Sequence, residues 1–188
     1  MLKELSNRCP NLTVLHLQDC KTENISVENI PSTVKELSIS KSSWKPRWLK
    51  DQQKYLTNIN SLILTRTVRI DRFDLQDIAQ ITELRKLDLS GCYRIKDDDI
   101  EVVAKYLVKL EVLNLSFTRI DDLGVHHIAR NLKILKELYL RSCDLSDGML
   151  GNLIICPLLK VLDISDNERL TSEGIKSLTK LEKLRVIK

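Results

Sequence analysis

Three stretches of the chain, LRKLDL at 84–89, LEVLNL at 110–115 and LKELYL at 135–140, share the pattern L-x-x-L-x-L. With conservative apolar replacements, the pattern also occurs as LTVLHL at 12–17, VKELSI at 34–39, INSLIL at 59–64, LKVLDI at 159–164 and LEKLRV at 181–186. Successive starts lie 22, 25, 25, 26, 25, 24 and 22 residues apart. A pattern that returns at a near-constant period indicates a repeat architecture.

The period lies within the range of about 20–29 residues that is typical of leucine-rich repeats. Alternate residues of a strand point to opposite faces, so the three apolar positions predict a short strand with one buried face. The connecting segments, such as IEVVAKYLVKL at 100–110, have helical periodicity. We therefore predict a single α/β domain over residues 1–188, a horseshoe-shaped leucine-rich-repeat solenoid with a parallel sheet on its concave face and helices on its convex face.

A second pattern follows the strands. Eight residues after each of the first seven starts stands a small side chain, and the series reads Cys20, Ser42, Thr67, Cys92, Thr118, Cys143 and Asn167. The chain turns there, and small hydrogen-bonding side chains can pair the backbone groups that the sheet leaves free. We predict a structural turn ladder that includes Cys20, Cys92, Thr118, Cys143 and Asn167. The five cysteines form no CxxC pair, which favours reduced thiols over a metal or disulfide framework.

Each return segment should begin with a helix cap. Asp97, Asp121, Asp147 and Ser172 stand between apolar pairs five residues apart, and their side chains can accept hydrogen bonds from free helical N–H groups. We predict these four residues as caps.

The second repeat departs from the others in its segment SKSSWKPRWLKDQQKYLTN at 40–58. Pro46 disfavours a helix that continues through this point. Two interpretations stay open. In one, the segment is irregular and Trp48 packs inside; in the other, Trp44 and Trp48 protrude as a second contact site for a partner, since exposed tryptophan is a common interface anchor.

The side chains between the apolar positions of each strand should line the concave face. We predict that Asp88, Asn114, Tyr139 and Asp163 form one row there, with Arg141 and Arg185 beside them, and that a protein partner binds these six residues. The predicted concave acids are Glu36, Asp88, Glu137 and Asp163, and the bases are Lys86, Arg141, Lys183 and Arg185. Such a balance does not give the basic stripe of a nucleic-acid groove.

Catalytic candidates are weak. His16 and Cys20 should lie on opposite strand faces, His126 and His127 are adjacent on a helix and do not share a face, and no nucleotide, zinc-protease or hydrolase motif occurs. We expect no catalytic residues, no metal site and no cofactor. The net charge of +4 and the absence of a long apolar run favour neither a nucleic-acid nor a membrane partner, and we expect a cytoplasmic or nuclear location.

The repeats resemble the cysteine-containing leucine-rich repeats of F-box proteins. The resemblance rests on CPNLTVLHLQDC at 9–20, LRKLDLSGCYRI at 84–95 and CPLLKVLDI at 156–164. A narrower likeness to one member of that series rests on NIPSTVKELSI at 29–39 and WLKDQQ at 48–53, which the repeat consensus does not dictate.

Members of this family are substrate receptors of Skp1–cullin–F-box (SCF) ubiquitin ligases, in which the F-box binds Skp1 and the repeats hold the substrate. The resemblance implies that this chain is a protein-binding module and not an enzyme. We find no F-box or terminal caps in it, so Skp1–cullin binding is expected only if an F-box lies upstream. The alternative is a repeat-only adaptor, inhibitor or assembly factor that is not linked to ubiquitin.

Overall fold

The computed structural model describes residues 2–67 and 69–188. Within them, eight strands pair in sequence order into one parallel sheet, which confirms the predicted leucine-rich-repeat solenoid. The strands are β1 (Val14–Gln18), β2 (Glu36–Ser40), β3 (Ser61–Ile63), β4 (Lys86–Asp88), β5 (Val112–Asn114), β6 (Glu137–Tyr139), β7 (Val161–Asp163) and β8 (Val186–Ile187).

The return segments carry the helices α1 (Leu2–Arg8), α2 (Arg72–Ile78), α3 (Asp97–Tyr106), α4 (Asp122–Asn131), α5 (Leu150–Leu153) and α6 (Ser172–Lys176). Short 3-10 helices lie at Thr22–Asn24, Val27–Asn29, Gln53–Tyr55, Asp147–Met149 and Ser177–Lys180. No helix in the described part of the chain has both the length and the apolar character needed to cross a bilayer.

A leucine in each of the first seven strands lines the core. Strand pairing aligns Leu15, Leu37, Leu62, Leu87, Leu113, Leu138 and Leu162 across neighbouring repeats. These side chains are buried in one continuous apolar cluster with the inner faces of the helices. Burying a leucine stabilises the fold by about 1.5–3 kcal/mol, and each repeat buries its apolar face against its neighbours.

The last repeat is displaced from its predicted register. The sequence placed its start at Leu181, but Val161 pairs with Val186 and Leu162 pairs with Ile187. The repeat therefore starts at Leu184, which is 25 residues after Leu159. Leu181 occupies the position of Cys156, three residues before a repeat start, and both are buried.

The turn after each strand uses a left-handed backbone. The residue seven positions after each of the first seven starts has φ between 49° and 73°, in the series Asp19, Lys41, Arg66, Gly91, Phe117, Ser142 and Asp166. Only Gly91 has no side chain to disfavour this conformation, which costs an ordinary residue about 1–2 kcal/mol. The strain is sustained because the side chain of the next residue, at the ladder position, hydrogen-bonds backbone groups near the strand ends.

Side chains at the predicted ladder positions bond backbone that the strands leave free, except that the Cys20 thiol contacts the Ser42 hydroxyl. The Cys92 thiol donates to the carbonyl oxygen of Leu64 at 3.2 Å, and the Thr118 hydroxyl donates to that of Leu115 at 2.6 Å. The Cys143 thiol lies 3.4 Å from the same Leu115 oxygen, and the Cys20 thiol lies 3.2 Å from the Ser42 hydroxyl. Burial raises the pKa of the Cys92 thiol to about 12, so this cysteine acts as a neutral donor.

The helix starts differ in part from their prediction. Asp121 caps α4 as expected, because its carboxylate accepts from the N–H of Leu123 at 2.8 Å. The assignments of Asp97, Asp147 and Ser172 as caps are wrong, since the cap positions are Lys96, Ser146 and Thr171.

Asp97 and Asp147 bond the following repeat instead. Asp97 Oδ1 accepts from the N–H groups of Asp121 and Gly124, both at 2.9 Å, and Asp147 Oδ1 accepts from the N–H of Thr171 at 2.9 Å. A Cβ on Gly124 would lie 2.5 Å from Asp97 Oδ1, and one on Gly174 would lie 2.1 Å from Asp147 Oδ1. Glycine at these positions therefore leaves room for the aspartate of one repeat to accept hydrogen bonds from the backbone at the start of the next repeat's helix.

The second repeat has an irregular return segment, and both of its tryptophans are buried. Trp44 and Trp48 are 1% and 7% exposed, and their rings meet edge to face at 5.2 Å. Trp48 Nε1 donates to the carbonyl oxygen of Ile25 at 2.8 Å. The interpretation of Trp44 and Trp48 as a second partner contact is wrong, because both indoles are buried in the hydrophobic core.

Candidate protein-binding face

The strand register brings four predicted site residues into one row on the concave face. Asp88 pairs with Asn114, Asn114 with Tyr139, and Tyr139 with Asp163. Neighbouring strands lie about 4.8 Å apart, so the row spans about 14 Å. It crosses β4 to β7, which makes the row a continuous polar strip across four repeats.

Hydrogen bonds within the face fix the N-terminal half of this row. Asn114 Nδ2 donates to Asp88 Oδ2 at 3.0 Å, and Asn114 Oδ1 accepts from the N–H of Ser116 at 3.0 Å. Asp88 Oδ1 accepts from the N–H of Ser90 at 2.8 Å. The two side chains are therefore ordered before any partner arrives, which lowers the entropy cost of binding.

Tyr139 and Asp163 form the C-terminal half. The Tyr139 hydroxyl donates to Glu137 Oε2 at 2.8 Å. Burial, and to a smaller extent this hydrogen bond, raises the pKa of Tyr139 to about 12. Asp163 is 9% exposed, and its Oδ1 accepts from the hydroxyl of Ser165 at 2.6 Å. Lys188 Nζ lies 4.0 Å from Asp163 Oδ2 and 5.9 Å from the centre of the Tyr139 ring.

A groove of about 600 Å³ opens beside the row, towards the turns that follow the strands. Phe117 and Tyr93 line it together with Asn114, Tyr139 and Asp163. Phe117 is 50% exposed and Tyr93 is 45% exposed, so both rings present apolar area to solvent. Sequence reasoning missed these two aromatics because it considered only strand positions, and Phe117 stands in the left-handed turn.

Arg141 packs against Phe117 of this groove, but its guanidinium is already paired with another side chain. Its Nε donates to Asp166 Oδ2 at 2.7 Å, and its Cζ lies 5.6 Å from the centre of the Phe117 ring. Both ion-pair partners are about half exposed, so the pair itself contributes little stability. Arg141 thus packs over the Phe117 ring while its guanidinium is paired with Asp166.

The placement of Arg185 in a concave strand row is wrong. With the repeat starting at Leu184, Arg185 precedes β8, and its N–H donates to the carbonyl oxygen of Lys160 at 2.8 Å. Lys183 leaves the concave rows for the same reason, and Lys188 enters them next to Asp163. The rows therefore hold four acids (Glu36, Asp88, Glu137 and Asp163) and three bases (Lys86, Arg141 and Lys188).

The side chains considered for catalysis have other partners. His16 Nε2 lies 2.8 Å from Glu36 Oε1, and this hydrogen bond lowers the pKa of Glu36. Cys20 contacts Ser42 and not His16. In residues 2–67 and 69–188 no group of three or more histidine, cysteine or acidic side chains is arranged to hold a metal ion.

The comparisons with known proteins agree with this architecture. A leucine-rich-repeat family model matches residues 106–129 and 156–178. An internalin from Listeria monocytogenes superimposes with a TM-score of 0.67 at 19% identity, covering 100% of this chain and 50% of that structure. At this identity the structural likeness shows the fold alone.

The sequence relatives support the narrower resemblance. Human F-box/LRR-repeat protein 12 is 28% identical over 86% of this chain and 51% of its own length. Its mouse counterpart is 25% identical over 100% of this chain and 60% of its own length. The chain thus spans between half and two thirds of the length of these relatives. The chain therefore has the fold of a leucine-rich-repeat solenoid, and its sequence is similar to that of F-box/LRR-repeat proteins.

Proposed function

We propose that this chain recognises the substrate of an SCF-type ubiquitin ligase, holding a protein on its concave face while other subunits transfer ubiquitin. The observation that carries the proposal is the ordered row from Asp88 to Asp163 beside a groove with exposed Phe117 and Tyr93. Ordered polar groups next to exposed aromatic rings are the composition of an interface hot spot.

The link to ubiquitin is supported by the likeness to F-box/LRR-repeat protein 12, whose mouse form aligns with 100% of this chain and so with the unusual second repeat. Substrate capture needs no reacting groups in this chain, because the bond-forming steps belong to other subunits. The proposal places the protein in the cytoplasm or nucleus, and the free thiols of the ladder suit a reducing compartment.

The experiment compares two aromatic residues of equal exposure on different surfaces. Phe117 lines the concave groove and is 50% exposed, whereas Tyr106 ends α3 on the helical side and is 48% exposed. The natural full-length product, tagged and expressed in its own cells, should co-purify with Skp1, cullin and a substrate that accumulates when the proteasome is inhibited.

Phe117→Ala should lose that substrate while keeping Skp1 and cullin, and Tyr106→Ala should keep all three. Loss of an anchor of this kind costs about 2 kcal/mol or more, which is at least about thirtyfold in affinity. If a partner is held through Phe117 without Skp1 or cullin, the chain is an adaptor or inhibitor. If Tyr106→Ala alone releases the substrate, the binding face is wrong.

A further inference from the structure

One edge of the sheet carries a concentration of positive charge. The four residues before each strand form a connector, and the last three connectors are 133–136, 157–160 and 182–185. They contain Lys133, Lys136, Lys160, Lys183 and Arg185 against one acid, Glu182. The connectors before β4 and β5 are balanced, with Arg85 and Lys109 against Glu83 and Glu111. We call the five cations of the last three connectors, Lys133, Lys136, Lys160, Lys183 and Arg185, the basic rim.

The register stacks part of the basic rim into a row. Lys136, Lys160 and Arg185 each stand one residue before Glu137, Val161 and Val186, which pair with one another. The N–H of Lys160 donates to the carbonyl oxygen of Lys136 at 2.7 Å, and the N–H of Arg185 donates to that of Lys160 at 2.8 Å. Adjacent strands lie about 4.8 Å apart, so three cations stand within about 10 Å.

Carboxylates neutralise only the start of this row. Glu111 bonds both Arg85 and Lys136, and these two hydrogen bonds lower the pKa of Glu111. Among the described residues, Lys160, Lys183 and Arg185 have no carboxylate within ion-pair distance, and all three are exposed. The positive field therefore strengthens towards the last repeat.

The neighbouring row on the concave side begins with Glu137 at β6 and is apolar at β7 and β8. Val161 is half-buried and Val186 is 40% exposed, and they stand directly beside Lys160 and Arg185. An extended peptide alternates its side chains at a rise of about 3.4 Å per residue, so it can set acidic side chains on the cations and apolar ones on the valines. Four such residues span about 10 Å, the length of the row, and place two acidic side chains about 7 Å apart against its three cations.

We propose that the basic rim docks an acidic, extended segment of the protein partner, with acidic and apolar residues in alternation. This inference rests on the proposed partner capture, since the rim borders the same face. A peptide is favoured over single-stranded nucleic acid because such nucleic acid is held by aromatic side chains placed among the cations. The described connectors 133–136, 157–160 and 182–185 instead supply the aliphatic Ile134 and Leu158.

The test uses a fluorescein-labelled decapeptide that alternates Glu with Val, titrated by fluorescence anisotropy at about 50 and 200 mM NaCl, where screening differs. The rim variant is Lys160→Glu with Lys183→Glu, because neither side chain has a hydrogen-bond or ion-pair partner among residues 2–67 and 69–188 whose loss would unfold the repeat. The control is Lys105→Glu with Arg130→Glu, which changes the net charge equally on exposed residues of α3 and α4. Thermal unfolding verifies that both variants are folded.

The rim variant should bind the peptide about tenfold more weakly than the unchanged chain, and the control should stay within about twofold. The higher salt concentration should weaken binding to the unchanged chain and have little effect on the rim variant. No binding by the unchanged chain, equal loss in both variants, or tighter binding of a fluorescein-labelled ten-nucleotide thymidine oligomer would each overturn the proposal. Because this titration needs neither Skp1 nor Phe117, its failure is separate from a failure of the proposed function.

Discussion

The Asn167 side chain is the most connected member of the turn ladder, and its removal should be costly. Its Nδ2 donates to the carbonyl oxygens of Leu140 at 2.9 Å and Ile164 at 2.8 Å. Its Oδ1 accepts from the N–H groups of Cys143 at 3.1 Å and Leu145 at 3.4 Å. Asn167→Ala keeps the turn but leaves these four backbone groups without their partner.

The magnitude follows from how many of the four can reach water. Leu145 is 1% exposed and Leu140 is 0% exposed, so at least two groups stay unpaired in the interior. Each buried unpaired group costs about 1–3 kcal/mol, so we expect a loss of about 3 kcal/mol in the free energy of unfolding. Domains are stable by only about 5–15 kcal/mol, so the change is a large fraction of the total.

Urea unfolding should be followed by far-ultraviolet circular dichroism and by tryptophan fluorescence. At a slope of about 2 kcal/mol per molar urea, the circular-dichroism midpoint should fall by about 1.5 M. Both tryptophans lie in the second repeat, so fluorescence reports the other end of the solenoid. Since each repeat contacts only its neighbours, the fluorescence midpoint should fall less than the circular-dichroism midpoint.

Asn58→Ala is the matched control, because the exposed Asn58 makes one hydrogen bond, to the carbonyl oxygen of Ser32 at 2.8 Å. It should lose less than about 1 kcal/mol. An Asn167→Ala variant as stable as Asn58→Ala would refute the view that ladder side chains pair otherwise unsatisfied backbone.

Two further substitutions test the ladder and the contacts between repeats. Cys92→Ser should lower the free energy of unfolding by only about 1 kcal/mol, because serine still donates to the carbonyl oxygen of Leu64. Cys92→Leu loses that bond and overfills the site, which should cost about 1–3 kcal/mol more. Equal melting temperatures of the two variants would contradict the ladder role. Gly124→Ala should destabilise the chain by about 1–3 kcal/mol, because the new Cβ meets Asp97 Oδ1 at 2.5 Å, whereas Gly151→Ala, which meets nothing within 4 Å, should be neutral or stabilising by about 0.5–1 kcal/mol. Thermal unfolding of both variants measures the difference, and a destabilised Gly151→Ala would remove the contrast.

The sequence predicted the strands well because each apolar position has one structural meaning in this repeat. It failed in the last repeat because Leu181 and Leu184 both fit the first position of the pattern. Only the pairing of Val161 with Val186 distinguishes them, and pairing depends on atoms far apart in the chain.

Other features could not be predicted for similar reasons. Lys41, Phe117 and other non-glycine residues occupy all but one of the seven left-handed turns, so no glycine pattern marks them. The engagement of Arg141 with Asp166, and of Trp48 with Ile25, depends on neighbouring repeats. The row of site residues was predictable because it needs only strand alternation and register.

The central claim, that a protein partner is held on the concave face, is tested most directly by crosslinking from that face. A photoreactive benzoylphenylalanine replaces Phe117 in the groove or, as the control, the equally exposed Tyr106 at the end of α3. After irradiation in cells, the crosslinked species are identified by mass spectrometry. We predict that position 117 captures the same protein that co-purifies with the unchanged chain and that position 106 does not. Capture of that protein from position 106, with none from position 117, would contradict the account.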